Sequence, residues 1–144
     1  MAKKLPGKID GSLITENFFP DYINHRHNIN QGLCMKWAYI AFLLYEDVVL
    51  YSNNVHAFVK QGGLFFDSEV PNGVSYWQHL PCNEMYEEDI EGSWYQTTAE
   101  FFHEWKDEFP VKDRVWVRKL VKEFLDKQAQ VYVPRYNYQE QVSL

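Results

Sequence analysis

The stretch that decides the fold is residues 32–69, GLCMKWAYIAFLLYEDVVLYSNNVHAFVKQGGLFFDSE. After Gly32 it contains strong helix formers and no breaker, with apolar residues on nearly every face. This predicts a central, buried helix that ends near Glu46-Asp47. The β-branched run 48–52 predicts a short strand, and two apolar runs around a glycine turn predict a β-hairpin over 55–69. The stretch therefore predicts an α+β fold in which a Cys-bearing central helix packs on a small antiparallel sheet.

The two flanks of this stretch carry weaker patterns. Upstream, residues 1–14 predict a loose lead-in. Residues 15–31 predict an ordered loop with room for one short helical turn, because Pro20 breaks any longer helix there. Downstream, residues 70–95 contain Pro and Gly and predict a long irregular connection of the kind that builds substrate grooves. The remaining sequence predicts a helix over 98–109 that Pro110 stops, an amphipathic helix over 111–128, and an edge strand over 131–136.

Length, composition and charge bound the class of protein. The chain has 144 residues, which fits one domain over 1–144, and 46% of them are apolar. The net charge of −6 argues against a nucleic-acid partner, because a duplex-binding surface carries a basic stripe. No apolar run is long enough to span a bilayer, and the N-terminus lacks the apolar segment of a signal peptide, so we expect no membrane partner. The two cysteines are too few for a disulfide framework, and we expect free thiols in a cytoplasmic protein.

Cys34 and His56 have the properties of a thiol nucleophile and its base. A thiolate is favoured at a helix start, where unpaired N–H groups and the helix dipole face it, and the nucleophile needs a base within hydrogen-bond reach. Cys34 comes two residues after Gly32, at the predicted helix start, and His56 lies near the start of the first hairpin strand. The N–H groups of the same helical turn can also hold an oxyanion. This order of residues predicts a cysteine-dependent enzyme that needs no metal and no organic cofactor.

The hairpin is expected to bring a carboxylate to His56, because opposite residues of an antiparallel pair share one face of the sheet. If Gln61-Gly62 form the turn, His56 lies opposite Asp67. If Gly62-Gly63 form it, His56 lies opposite Glu69. We favour Asp67 as the group that orients the imidazole, with Glu69 as the alternative.

The ordered set of residues resembles the core of the papain-like and transglutaminase-like cysteine hydrolases. The shared features are a Cys-bearing helix, a strand that carries His-Ala followed by an aromatic residue, and a next strand that ends in Asp. The compact spacing is more similar to NlpC/P60-like peptidases than to papain itself, where the Trp directly follows the nucleophile. The resemblance covers about residues 28–69, and the matching positions are Gly32, Cys34, Trp37-Ala38, His56-Ala57-Phe58 and Asp67, preceded by Asn30-Gln31-Gly32.

The resemblance implies a function and a set of site residues. It implies a papain-like fold and a Cys34–His56–Asp67 triad in a cysteine peptidase, an amidase or a transglutaminase-like acyl transferase, acting on an amide or isopeptide bond of a protein or peptide. Asn28 stands where papain has its oxyanion glutamine, so Asn28 or Gln31 is expected to help hold the oxyanion. Oligomeric state is not implied.

Each candidate also has a plainer interpretation. Cys34 can be a buried core thiol, and the function is then that of a catalytically inactive papain-like scaffold that binds or inhibits a protein. Trp77 and Trp94 are candidates for a substrate groove, although core packing explains them equally well. His25 and His27 fit a surface loop better than a metal site. Cys82, with His79 nearby, is a weaker rival for the nucleophile.

Overall fold

The computed structural model describes residues 3–52, 56–81 and 98–143. The fold of these residues is mixed α+β, as predicted. It contains a three-stranded antiparallel sheet in the order β1-β2-β3. The described elements are helices α1 (Gly11–Phe18), α2 (Arg26–Ile29), α3 (Cys34–Leu44), α4 (Thr98–Glu104) and α5 (Val111–Ser143), strands β1 (Val49–Ser52), β2 (Ala57–Gln61) and β3 (Leu64–Phe66), and 3₁₀ turns at Pro20–Tyr22 and Trp77–His79.

The hairpin between β2 and β3 turns at Gly62-Gly63. Gln61 pairs with Leu64 across the turn, and both glycines have positive φ, 56° and 83°. A two-residue turn with positive φ at both central positions matches the right-handed twist of the strands it joins, and glycine adopts that conformation without a steric penalty. The hairpin prediction is therefore confirmed, with the second of the two possible turns.

Helix α3 is the centre of the hydrophobic core. It begins at Cys34 as predicted and ends at Leu44, and eight of its eleven residues are buried. The helix packs on β2, on β1 and on α5, so it is covered on several faces, which explains why its sequence lacks a polar side. Trp37, Ala38 and Ala41 are almost completely removed from water.

Gln61 fixes the end of α3 against the end of β2. Its side-chain oxygen accepts a hydrogen bond from the Ile9 N–H at 2.8 Å, and its amide nitrogen donates to the carbonyls of Gly7 (3.0 Å) and Glu46 (2.9 Å). Glu46 comes two residues after α3, whereas Gln61 is the last residue of β2. The C-terminal ends of the helix and the central strand therefore meet, and the two elements run in the same direction.

The predictions for two flanking segments are wrong. Residues 11–18 form helix α1 instead of the end of a lead-in and the start of a loop, because the Asp10 carboxylate accepts hydrogen bonds from the N–H groups of Ser12 and Leu13 and so caps the helix. The segment 131–136 is part of α5 instead of an edge strand. Extending an existing helix orders one residue at a time, whereas a strand needs a free sheet edge beside it.

Helices α4 and α5 begin at the residues that the sequence predicts. Helix α4 begins at Thr98 and ends before Pro110, and α5 begins at Val111. Trp105, just after α4, donates from its indole nitrogen to the Ser52 hydroxyl at 2.5 Å and so joins this part of the chain to β1. Across the described helices, none combines the length and the apolar character that crossing a bilayer requires.

We expect Gln61→Ala to lower the free energy of unfolding by about 1–2 kcal/mol, because it removes three hydrogen bonds to backbone groups of two separate segments. Urea denaturation followed by far-UV circular dichroism measures the change. Gln128→Ala is the matched control, since Gln128 is exposed on α5 and a surface substitution of this kind changes stability by less than about 0.5 kcal/mol. Equal stabilities of the two variants would contradict the role given to Gln61.

Candidate active site

Cys34 is the first residue of α3 and a free thiol in the described part of the chain. It is buried, with 3% of its surface exposed. The residue before it, Leu33, occupies the N-cap position, and among the described residues no side chain caps this end of the helix. A helix start without a side-chain cap leaves its first N–H groups available to an anion, which is the environment that a thiolate or an oxyanion needs.

His56 lies immediately before β2 and is completely buried. Its Nε2 is 2.9 Å from the Asp67 carboxylate oxygen Oδ2, and its ring stacks on that of Phe58 at 5.5 Å between centroids. A carboxylate can only accept, so the imidazole carries a hydrogen on Nε2. In the neutral imidazole the basic lone pair is then on Nδ1, the nitrogen that must take the proton of a thiol.

Asp67 becomes the partner of His56 through a bend that the strand register does not show. With Gly62-Gly63 as the turn, the register extends to place His56 opposite Glu69. However, β3 ends at Phe66, and the chain turns back so that the Val70 N–H donates to the Asp67 carbonyl at 3.2 Å. Asp67 is therefore the residue that contacts the imidazole, as favoured from the sequence, but for a different geometric reason.

The Asp67 carboxylate is 1% exposed and accepts four hydrogen bonds. Oδ2 accepts from His56 and from the Asn30 amide at 3.3 Å, and Oδ1 accepts from the backbone N–H groups of Glu69 (2.9 Å) and Val70 (3.2 Å). Two carboxylate oxygens have about four lone-pair positions, so all of them are filled. Donors on every side compensate the loss of water around the charge and prevent the carboxylate from rotating away from the imidazole.

Asn30 belongs to this cluster, although sequence reasoning did not select it as a site residue. Its amide nitrogen also donates to Glu69 Oε2 at 2.9 Å, and its amide oxygen is 3.2 Å from the Ser68 hydroxyl, which is 2.9 Å from the Arg26 carbonyl. These contacts join residues 37 to 42 positions apart, so no local spacing pattern could reveal them. The sequence signal that could have indicated Asn30 as a site residue is its position in the Asn30-Gln31-Gly32 run before Cys34.

Cys34 and His56 lie at the same end of the helix–sheet pair. The C-terminal ends of α3 and β2 meet at Gln61, and the two elements pack along each other. The 11 residues of α3 rise about 16 Å, and the strand from His56 to Gln61 extends about 17 Å, so the opposite ends also coincide. The contact between Asn30, four residues before Cys34, and Asp67 supports this placement independently.

The remaining candidates differ in their exposure to solvent. Asn28, in α2, and Gln31, in the link to α3, are both exposed, and Trp77 is half-buried in its 3₁₀ turn. Trp94 and Cys82 lie outside the described residues. His25 and His27 are exposed with ring centroids 6.4 Å apart. Within residues 3–52, 56–81 and 98–143, no three His, Cys, Asp or Glu side chains are grouped so that they could hold a metal ion.

Comparison with known proteins finds no match for this chain among protein-family models, curated proteins or solved structures.

We expect Asp67→Asn to lower the free energy of unfolding by about 3 kcal/mol. The amide replaces an acceptor by a donor, and that donor faces N–H groups that already point at the carboxylate. Asp107→Asn is the control because Asp107 is exposed. Thermal and urea denaturation of both variants provide the measurement, and a loss below about 1 kcal/mol in Asp67→Asn would show that the four hydrogen bonds are not held in solution.

Proposed function

We propose that the protein is a cysteine-dependent hydrolase or acyl transferase that acts on an amide or isopeptide bond of a protein or peptide. Cys34 is the nucleophile, His56 the general base and acid, and Asp67 the group that orients the imidazole. The observation that carries the proposal is the buried hydrogen bond of 2.9 Å between His56 and Asp67, at the end of the sheet where the Cys34 helix begins.

The proposed reaction proceeds through an acyl-enzyme. His56 Nδ1 takes the thiol proton while the Cys34 sulfur attacks the carbonyl carbon, and the carbonyl oxygen becomes an oxyanion beside the first-turn N–H groups of α3. The intermediate collapses to a thioester as the protonated imidazole gives its proton to the leaving amine. Water then releases an acid, or an acceptor amine forms a new amide, and Cys34 is regenerated in both cases.

The resemblance to papain-like and transglutaminase-like enzymes supports the same assignment. Those families hold the nucleophile at a helix start and the His on an adjacent strand of an antiparallel sheet. Here a buried helix that begins with Cys34 packs on the strand that follows His56. The position of Asp67 after the next strand agrees with the same pattern. Asn28 and Gln31 remain candidates to add a side-chain donor to the oxyanion site.

The second candidate is a catalytically inactive papain-like scaffold that binds a protein partner, and burial favours it. Cys34, His56 and Asp67 are each no more than 3% exposed. A substrate carbonyl must approach the sulfur to about 3–3.5 Å before reaction, so the enzyme needs an opening that reaches Cys34. A scaffold without activity needs none. Reactivity of the native thiol therefore distinguishes the two functions.

Iodoacetamide, a small alkylating reagent, tests the nucleophile directly. We expect native Cys34 to be alkylated at pH 7 faster than a cysteine in a short unstructured peptide, and His56→Ala to slow this reaction at least about tenfold because the base is lost. Peptide mass mapping identifies the labelled residue, and Cys82→Ala should label at the wild-type rate. Alkylation of Cys34 only after denaturation would favour the inactive scaffold.

An activated ester tests the acyl-transfer step without knowledge of the natural substrate. With p-nitrophenyl acetate we expect a burst of about one equivalent of p-nitrophenolate followed by slower turnover, because acylation of the thiol precedes deacylation. The burst should be absent in Cys34→Ala and present in Cys82→Ala. A burst that survives in Cys34→Ala and disappears in Cys82→Ala would show that Cys82 is the nucleophile and would contradict the proposal. Added amines that accelerate turnover would identify an acyl transferase.

A further inference from the structure

The Asn30 side-chain amide has hydrogen-bond contacts with two carboxylates and a hydroxyl. It is 8% exposed, and its nitrogen donates to two different carboxylates, Asp67 Oδ2 at 3.3 Å and Glu69 Oε2 at 2.9 Å. Its oxygen faces the Ser68 hydroxyl at 3.2 Å. All three partners lie in the bend that follows β3. One side chain therefore engages three consecutive residues of that bend.

The chemistry of these partners determines the orientation of the amide. The nitrogen has two hydrogens and no acceptor, whereas the oxygen accepts only. Rotating the amide by 180° would place its oxygen against both carboxylates, which is repulsive on each side. The observed orientation is therefore the favourable one, and it provides one neutral donor to two acidic side chains.

The segment from Asn30 to Cys34 transmits the position of Asn30 to the thiol. The Leu33 N–H donates to the Ile29 carbonyl at 2.8 Å, and the Trp37 N–H donates to the Leu33 carbonyl at 3.0 Å. The chain thus enters α3 through a hydrogen-bonded turn that has little freedom to adjust. A displacement of Asn30 relative to Asp67 is therefore expected to shift the start of the Cys34 helix relative to His56.

We propose that Asn30 is a positioning residue, whose amide ties the segment leading into the Cys34 helix to the carboxylate that orients His56. This inference rests on the proposed function. Asn30 touches neither the thiol nor the substrate in this role. It acts through Asp67 on one side and through the helical turn on the other, and so sets the approach of sulfur to imidazole. A misplacement of about 1 Å between reacting atoms can lower a rate on the order of a hundredfold, so a group that holds this approach contributes to function without touching the substrate.

Asn30→Ala tests the inference, with Asn17→Ala as the matched control. Asn17 is exposed on α1 and donates to the Leu13 carbonyl of its own helix. We expect Asn30→Ala to reduce the iodoacetamide rate constant of Cys34 about tenfold, and Asn17→Ala to leave it within about twofold. The second readout is hydrogen exchange of the His56 Nε2–H by NMR. It should accelerate about tenfold in Asn30→Ala while the buried Val59 amide exchanges as in the wild type.

Ser68→Ala keeps the test decisive if Asn30→Ala does not fold. It removes the hydroxyl that lies between the Asn30 amide oxygen and the Arg26 carbonyl, and we expect the same two changes at about one third of the size. A folded Asn30→Ala protein with wild-type labelling and wild-type exchange at His56 would overturn the inference. A lower melting temperature in that protein would then show only a structural role for Asn30. If wild-type Cys34 does not label, the proposed function fails. Exchange at His56 then decides alone whether Asn30 holds the His56–Asp67 pair.

Discussion

A carboxylate that is removed from water must find hydrogen-bond donors for its charge, and Asp67 finds them in three separate parts of the chain. The bend after β3 supplies two backbone N–H groups, the start of β2 supplies an imidazole, and the link before α3 supplies an amide. Each donor places its own segment. The arrangement of hairpin, bend and Cys-bearing helix around the candidate site depends on satisfying this one buried charge.

The sequence separation of the contacts explains which parts of the fold could be predicted. Helix α3 and the hairpin were predictable because a run of apolar helix formers and a glycine turn act over a few residues. Asp67 was chosen for a register that does not occur, since strand counting cannot show that β3 stops at Phe66. Asn30 was not selected, because its contacts with Asp67 and Glu69 cross nearly forty residues. A contact of that range is decided by tertiary packing, which a local pattern does not contain.

Errors at the flanks have a different origin. Helix α1 ends at Phe18, before Pro20, so Pro20 does limit the helix. At the other end, the Asp10 cap starts the helix although Gly11 is a poor helix former. In 131–136, two valines and a proline suggested a strand, yet these residues continue a helix that has already formed. In both places a single-residue signal was given more weight than the cooperative behaviour of the helix beside it.

The range of the Asn30–Asp67 contact also has a consequence for folding. The hairpin contact of His56 with Asp67 closes a loop of 11 residues, whereas the contact with Asn30 closes one of 37. Loop-closure entropy makes the longer loop about 1 kcal/mol more costly, so the base and its carboxylate can meet before the thiol helix joins them. The environment of the Cys34 thiol is therefore completed only when the longer of the two loops has closed.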